Sequence, residues 1–451
     1  MTRRGHPAMC LAIRASCSPA RGERGANPAP THALPSCGAA ALVTSAGPVT
    51  AFLLLLLAYI LSQFYRAFLA IVAADLNRDL GLSAADLGSL SAIWFAAFAL
   101  AQFPVGWALD RIGPRRTCAG LLTVAVVGAV LLAAAQSFPA CLAAMALIGI
   151  GCSAALMGSL YIFARVHPVE RFAMLGSLLI GLGAAGNLAA GTPLALASQA
   201  FGWRAAMLAV AVLTAVSALL LAVALRDPPR VEAAEKGSAL AGLAAIASLR
   251  PLWLLLPLTF VSYAVVIATR SLWIAPFLER VHGFDALQRG NAAFVMAAAM
   301  SLGALAYGPV ERWLRDPKLT TLIGSALTGA AYLALGLLGH EDAGLAVALL
   351  AAIGAFGLSY GILMAHGRLF FPAGLIGRGV TFLNFAFIGG AGVVQWLSGR
   401  FVQGAQDAGV DPATTFGLLH LGFGAALLLA TAVYLFAPAH PVEGTGAATA
   451  R

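Results

Sequence analysis

Two arginines lie inside long apolar stretches that contain no acidic residue. Arg66 is in AYILSQFYRAFLAIVA, and Arg270 is in LTFVSYAVVIATRSLWIA. A charge at the centre of a bilayer costs about 2.5 kcal/mol or more, so such a residue usually serves a function. Guanidinium groups stay ionised and bind carboxylate or phosphate through two parallel hydrogen bonds. These residues therefore predict a site for an anionic small molecule, with snorkelling of either side chain to the membrane surface as the alternative.

Polar and aromatic side chains elsewhere in the apolar stretches are the candidates for completing this site. Buried amides in a lipid environment need partners, which a substrate can supply. The predicted substrate-binding residues are Arg66, Arg270, Tyr65, Asn187, Tyr263, Asn384 and Gln395. Every Asp and Glu lies in a tail, a loop or the end of an apolar stretch, so the sequence offers no buried carboxylate for proton coupling.

The composition requires a membrane to position these residues. The chain has 451 residues, of which 61% are hydrophobic and 10% are charged, whereas a soluble chain is roughly 25% charged. Because about 20 apolar residues span a bilayer, the chain is predicted to be an all-α membrane protein with twelve transmembrane helices. The predicted spans are 48–73, 87–107, 117–135, 139–164, 172–198, 205–225, 251–277, 290–309, 319–338, 344–366, 377–400 and 412–436.

A polar segment divides the spans into two sets of six. This segment, 226–250, is rich in charge and proline. The predicted organisation is a disordered basic cytoplasmic tail (1–45), an N-terminal six-helix bundle (46–225), a cytoplasmic linker (226–250), a C-terminal six-helix bundle (251–437) and a cytoplasmic tail (438–451).

Arginine and lysine concentrate on the side of the N-terminus. The opposite side is predicted to carry only Arg78, Arg204, Arg280, Arg289 and Arg400. The positive-inside rule then places both termini in the cytoplasm of an inner or plasma membrane. This distribution also accounts for the net charge of +9 without a nucleic-acid partner. The six cysteines lack metal-ligand spacing, and we predict neither a metal nor another cofactor.

A motif between the second and third spans carries a family resemblance. The sequence GWALDRIGPRRT begins at Gly106, and a degraded copy, GPVERWLRDPK, begins at Gly308. The first copy resembles the loop 2–3 motif of the major facilitator superfamily. The resemblance implies two pseudo-symmetric six-helix bundles, transport by alternating access and no enzymatic activity. It also implies a conformational latch formed by Gly106, Asp110, Arg111, Gly113, Arg115 and Arg116. Gly106 would let a neighbouring helix approach, and Asp110 would suit a positive helix N-terminus or a basic partner.

One arginine on each of the first and seventh spans is similar to the arrangement in organophosphate:phosphate antiporters and sugar-phosphate permeases. This resemblance implies an organic or phosphorylated anion as the small-molecule substrate of a monomeric carrier in the lipid bilayer. A multidrug or metabolite exporter with structural arginines is the main alternative. A copper importer using Met296 and Met300 and a transporter-like sensor are further alternatives. The sequence contains no GxxxxGK[ST] motif, so ATP is not predicted to drive transport.

Overall fold

The computed structural model describes residues 48–167, 169–227, 248–371 and 376–439. Within these ranges it has 12 helical spans long and apolar enough to cross a membrane, which confirms the predicted all-α membrane fold. The first six spans are Pro48–Ala67 with Leu69–Leu80 (span 1), Ala84–Arg111 (span 2), Pro114–Ala134 (span 3), Phe138–Cys152 with Ala154–Val166 (span 4), Val169–Gly183 with Ala185–Ala189 and Thr192–Phe201 (span 5), and Trp203–Ala224 (span 6). The second six are Arg250–Ala268, the π-helical Thr269–Trp273 and Ile274–His282 (span 7), Ala286–Leu314 (span 8), Pro317–Leu338 (span 9), Ala343–Gly357 with Tyr360–Arg368 (span 10), Ile376–Asp407 (span 11), and Pro412–Tyr434 (span 12).

The predicted N-terminal tail lies outside the described residues, as do most of the predicted linker and most of the predicted C-terminal tail. We call spans 1–6 the N-terminal half and spans 7–12 the C-terminal half. The end of the spans that carries residues 81–83 and 283–285 is the distal end. The end that carries residues 111–113 and 315–317 is the terminal end.

Several helices run past their predicted limits because caps, rather than the end of the apolar run, stop them. Span 1 continues beyond 73 to Leu80 and ends at Gly81, whose φ of 65° is left-handed. The extension brings Asp75 and Asp79 into the helix that carries Arg66. Their carboxylates bind Arg78, Arg204 and Trp203 at the distal end. Arg66 therefore gains no counter-ion from the longer helix.

The backbone repeats itself at an offset of 202 residues, the offset between the two motif copies. Gly81 and Gly283 end spans 1 and 7 with φ of 65° and 67°, a conformation that glycine adopts without strain. Ser83 and Asp285 then begin spans 2 and 8 with a capping box, in which side chains satisfy the first helical N–H groups. The two halves are thus built on the same local plan, as expected for parallel repeats.

The repeat does not place the two arginines at equivalent positions. At the same offset, Arg66 corresponds to Ala268, and Arg270 corresponds to Phe68. Arg270 also lies in the π-helical segment Thr269–Trp273, and π-bulges insert a residue and are frequent at functional sites. Arg66 and Arg270 therefore lie on equivalent spans but in different environments.

Glycines in span 5 allow it to lie directly against span 1. A Cβ atom on Gly183 would lie 2.2 Å from the ring of Tyr59, and one on Gly186 would lie 2.0 Å from the carbonyl oxygen of Ile60. No side chain fits in these gaps. The contact fixes the short helix Ala185–Ala189, which carries Asn187, beside the centre of span 1.

The seam between spans 2 and 11 brings the two backbones into contact at the distal end. A Cβ atom on either Gly88 or Gly399 would lie 2.9 Å from the Cα atom of the other. Farther along, the rings of Phe103 and Phe385 are 5.8 Å apart, yet these residues are 52% and 37% exposed. At this level the two helices meet through aromatic side chains rather than through backbone atoms.

Hydrogen bonds join the two halves near the distal end, between spans 2 and 11 and between spans 5 and 8. The backbone N–H of Ala84 donates to Gln403 at 3.1 Å. The hydroxyl of Ser91 donates to Gln395. Spans 5 and 8 are joined by Thr192, which donates to Asn291 at 2.8 Å. We call these contacts, together with the Gly88–Gly399 packing, the distal gate. In this conformation the distal gate is closed.

Candidate anion-binding site between the two halves

Arg66 lies at the contact between the halves, held by aromatic side chains. Its Nη1 donates to the hydroxyl of Tyr263 in span 7 at 3.0 Å. Its Cζ lies 5.5 Å from the ring centroid of Trp94 and 5.1 Å from that of Phe98. Cation–π contacts of this kind contribute roughly 0.5–2 kcal/mol. They orient the guanidinium without neutralising it.

One edge of the Arg66 guanidinium remains unused. Nη1 carries the hydrogen bond to Tyr263, whereas the buried Nε has no hydrogen-bond partner among the described residues. Nη2 likewise has no hydrogen-bond partner among the described residues. Nε and Nη2 form the edge that grips a carboxylate through two parallel hydrogen bonds. Nε is covered by protein, but Arg66 is only half-buried and its unpaired Nη2 is not covered, so a ligand can reach this edge from the Nη2 side.

Two residues near Arg66 carry buried polar atoms without a partner. The indole Nε1 of Trp94 and the amide Oε1 of Gln63, one helical turn before Arg66, are buried without a partner in the described structure. Buried polar groups are normally hydrogen-bonded, so each exception requires a reason. A donor and an acceptor beside a cation could be satisfied by the hydroxyl groups of a bound anion.

Arg270 is more deeply buried than Arg66, with 1% of its surface exposed. Its Nη2 donates to the backbone carbonyl of Asn187, in the other half, at 2.6 Å. Its Nε and Nη1 are buried without a partner among the described residues. None of the ion pairs in those residues involves Arg66 or Arg270. Among the described residues no counter-ion neutralises Arg270, and the acceptor of its one hydrogen bond is a neutral carbonyl.

Neighbouring side chains fix the π-helical segment around Arg270. Thr269 shares a hydrogen bond of 2.8 Å with Tyr332 in span 9. Ser271 bonds to Gln395 at 3.0 Å, and the indole of Trp273 donates to Ser398 at 2.8 Å. Spans 9 and 11 thus hold span 7 on both sides of Arg270.

The remaining predicted ligands do not all meet at one place. Tyr65 is buried, and its hydroxyl bonds to Thr214 in span 6 at 3.0 Å. Gln395 is fully buried among spans 2, 7 and 11. Asn187 contributes its backbone carbonyl, and Asn384 lies half-buried in span 11. The structure thus joins Arg66 to Tyr263 and Arg270 to Asn187, while Tyr65 faces span 6.

Sequence reasoning missed three features of the site. Tyr59 lies two turns before Arg66 on the same helix face, and this spacing could have been used to predict it as part of the site. Phe98 stacks on Trp94 at 5.2 Å, one turn away on span 2. The π-helical segment has no sequence pattern from which it could be predicted.

The predicted latch is organised around a carboxylate that was not predicted. Gly113 has a φ of 102°. Next to it, the backbone N–H of Arg115 donates to Asp227 Oδ1 at 2.7 Å. A Cβ atom on Gly113 would lie 2.7 Å from the Asp227 carboxyl carbon. Asp227, which follows span 6, thus holds the helix N-terminus for which Asp110 seemed suited; the Asp110 side chain lies outside the described residues.

The expected close approach at Gly106 is not found in this conformation. No described atom from a neighbouring helix lies within 4 Å of a Cβ atom placed there. Arg111 and Arg116 of the predicted latch are exposed. The two methionines considered for copper, Met296 and Met300, are buried against Gly354 of span 10.

A cavity of about 670 Å³ lies at the distal end and is lined by both halves. Its wall includes the ion pairs of Arg78 with Asp75 and of Arg289 with Glu279. Arg280 also lines it and has no carboxylate partner in the described part of the chain. The wall therefore carries a surplus positive charge, which attracts anions.

Comparison with known proteins identifies the family. A sequence profile of the Major Facilitator Superfamily matches residues 55–395. A probable L-galactonate transporter of Escherichia coli (strain K12) is 39% identical over 66 residues, covering 15% of each chain. A probable galactarate/D-glucarate transporter of Pseudomonas putida is 33% identical over 72 residues, covering 15% of this chain and 16% of the relative. This chain thus aligns with only a small part of each of these relatives.

Solved structures show the same fold. A bacterial homolog to the human lysosomal transporter Spinster, in an inward-facing and unoccupied conformation, is 21% identical with a TM-score of 0.65, covering 86% of this chain and 96% of that one. A D-xylose-proton symporter is 15% identical with a TM-score of 0.68, covering 87% and 98%. The chain belongs to the major facilitator superfamily and is a multi-pass membrane transporter, not an enzyme.

Proposed function

We propose that this transporter carries small organic anions of the sugar-acid class, which combine a carboxylate with several hydroxyl groups, and that Arg66 binds the carboxylate. The observation that carries this proposal is the unpaired Nε and Nη2 edge of Arg66. It is a permanent charge within a span, has no counter-ion among the described residues and is half-buried. A carboxylate matches that edge in charge and in spacing.

The surroundings of Arg66 support a hydroxylated substrate. Tyr263, whose hydroxyl contacts Arg66, packs with Tyr360 and Phe387 at ring-centroid distances of 5.4–6.4 Å. Trp94 and Gln63 add one unpaired donor and one unpaired acceptor. Binding sites typically combine such apolar walls with a few polar groups that fix orientation. The names of the two curated relatives, which mention galactonate, galactarate and D-glucarate, point to the same class.

The transporter would work by alternating access in the plasma membrane, with the terminal end facing the cytoplasm. The orientation follows from the excess of Arg and Lys at that end. The described structure places no carboxylate beside Arg66. Facilitated uptake or anion exchange therefore fits the site better than proton symport through a buried acid.

Uptake into proteoliposomes tests the proposal. We expect counterflow of labelled L-galactonate or D-glucarate, and no counterflow of galactose, which lacks the carboxylate. Arg66→Gln should reduce uptake at least about tenfold, because a hydrogen bond to a charged group contributes roughly 1.5–3 kcal/mol. Arg400→Gln is the matched control, since Arg400 is exposed at the distal part of span 11. Wild-type uptake by Arg66→Gln would refute the site, and transport of cationic dyes instead of anions would favour an exporter.

A further inference from the structure

The two arginines differ in accessibility in this conformation. Arg66 is half-buried; its unpaired Nε is covered by protein, but its unpaired Nη2 is not. Arg270 is 1% exposed, and its Nε and Nη1 are unpaired but covered by protein. An anion can therefore reach Arg66 while the distal gate is closed. It cannot reach Arg270 unless the surrounding helices move.

The hydrogen bond that holds Arg270 belongs to the closed gate. Its acceptor, the carbonyl of Asn187, lies in the N-terminal half, while Arg270 lies in the C-terminal half. The adjacent Ser271 bonds to Gln395, which also accepts a hydrogen bond from Ser91 of the N-terminal half. Arg270 directly, and Ser271 through Gln395, are thus connected to the N-terminal half. Separation of spans 2 and 5 from spans 7 and 11 would break both connections.

Opening the gate would leave Arg270 as an exposed cation without a partner. Nη2 would lose the Asn187 carbonyl, and Nε and Nη1 already lack partners among the described residues. The distal cavity, with Arg280 in its wall, lies on the same side. The repeat also agrees with the burial of Arg270 in this conformation. At the offset of 202 residues, Arg270 corresponds to Phe68, which is 0% exposed.

We infer that Arg66 and Arg270 bind the anion in different conformations. Arg270 is the ligand when the distal gate is open, and closure of the gate replaces the anion on Arg270 with the Asn187 carbonyl. Arg66 holds the anion while the distal gate is closed, until release toward the terminal end. This inference rests on the proposed function, because it assumes that the substrate is an anion.

Binding measurements with the gate locked test the inference. The side-chain oxygens of Thr192 and Asn291 are 2.8 Å apart, so cysteines at both positions lie within reach of a cross-link that keeps the gate closed. Cys10, Cys17 and Cys37 would be replaced by serine; Cys118, Cys141 and Cys152 are buried. Binding of L-galactonate and D-glucarate to the cross-linked protein is measured by calorimetry. Arg66→Gln should weaken binding at least tenfold, whereas Arg270→Gln should change it less than twofold.

A gate-opening variant provides the complementary measurement. In a Gly399→Ala background, which favours the open gate, Arg270→Gln should weaken binding at least tenfold. Arg270→Lys keeps the charge and should retain part of the affinity. That result would show that the loss in Arg270→Gln comes from the missing charge and not from misfolding. Equal losses for Arg66→Gln and Arg270→Gln in the locked protein would overturn the inference but leave the proposed function intact. An unchanged affinity of Arg270→Gln in the Gly399→Ala background would also overturn it. Failure of the locked parent and the unlocked wild type to bind either acid would instead reject the proposed function.

Discussion

Substitution of Gly399 by alanine should hold the distal gate open. The added Cβ atom would lie 2.8 Å from the carbonyl oxygen of Ala84 and 2.9 Å from the Cα atom of Gly88. Both neighbours are backbone atoms of span 2, so no side chain can rotate away. Overpacking of this kind typically costs about 1–3 kcal/mol. Alanine also favours a helix over glycine by roughly 1 kcal/mol, but that gain applies to both conformations and cancels.

The expected consequence is a change in population. A penalty of about 1–3 kcal/mol confined to the closed gate lowers the closed-to-open ratio by roughly 5- to 150-fold. Gly404→Ala is the matched control on the same helix, because no described atom lies within 4 Å of a Cβ atom there. The two variants differ only in what the new methyl group meets.

Double electron–electron resonance can measure the gate directly. Spin labels on Ala200→Cys and Ala408→Cys would report the separation of the halves, because both alanines are exposed at the distal end. The cysteines of the N-terminal tail would be replaced by serine. We expect Gly399→Ala to shift the distance distribution to longer values and Gly404→Ala to leave it unchanged. An unshifted distribution for Gly399→Ala would refute the view that this backbone contact closes the gate.

Three further outcomes are expected. Tyr263→Phe removes the acceptor of Arg66 Nη1 and should raise the KM for the anion several-fold without lowering the thermal midpoint, so an unchanged KM would show that the contact does not orient Arg66. Asp79 accepts hydrogen bonds from Trp203, Arg204 and Arg78, and these hold the pKa of its carboxyl below the ordinary value. This contribution to stability is present above the unfolded-state pKa of about 3.9 and is lost as the pH falls through the lower folded-state pKa. Asp79→Asn should therefore lower the thermal midpoint at pH 7, and the difference should shrink below about pH 4; a difference that does not depend on pH would contradict this assignment. Asp227→Asn weakens an anion at a helix N-terminus, worth about 0.3–1 kcal/mol, and should speed hydrogen exchange of the Arg115 amide while leaving amides in span 12 unchanged.

The sequence by itself determined the membrane fold and the spans that matter. Composition and apolar length sufficed for the twelve helices, since a bilayer leaves few other ways to satisfy the backbone. Two charges without local counter-ions were enough to single out Arg66 and Arg270. Helix limits were less accurate, because caps such as Ser83 and Gly81 extend helices into polar sequence.

Only the tertiary structure decided what each arginine does. The sequence placed both on equivalent spans, but accessibility depends on which atoms of other spans cover them. Trp94 and Tyr263 leave Nε and Nη2 of Arg66 unpaired, with Nη2 uncovered, whereas Arg270, in the π-helical segment, is buried against Asn187. The role of Gly88 and Gly399 could likewise not be predicted from the sequence, because it depends on a contact between residues far apart in the chain. Charge is a property of the residue, but its solvation and its partners are properties of the fold.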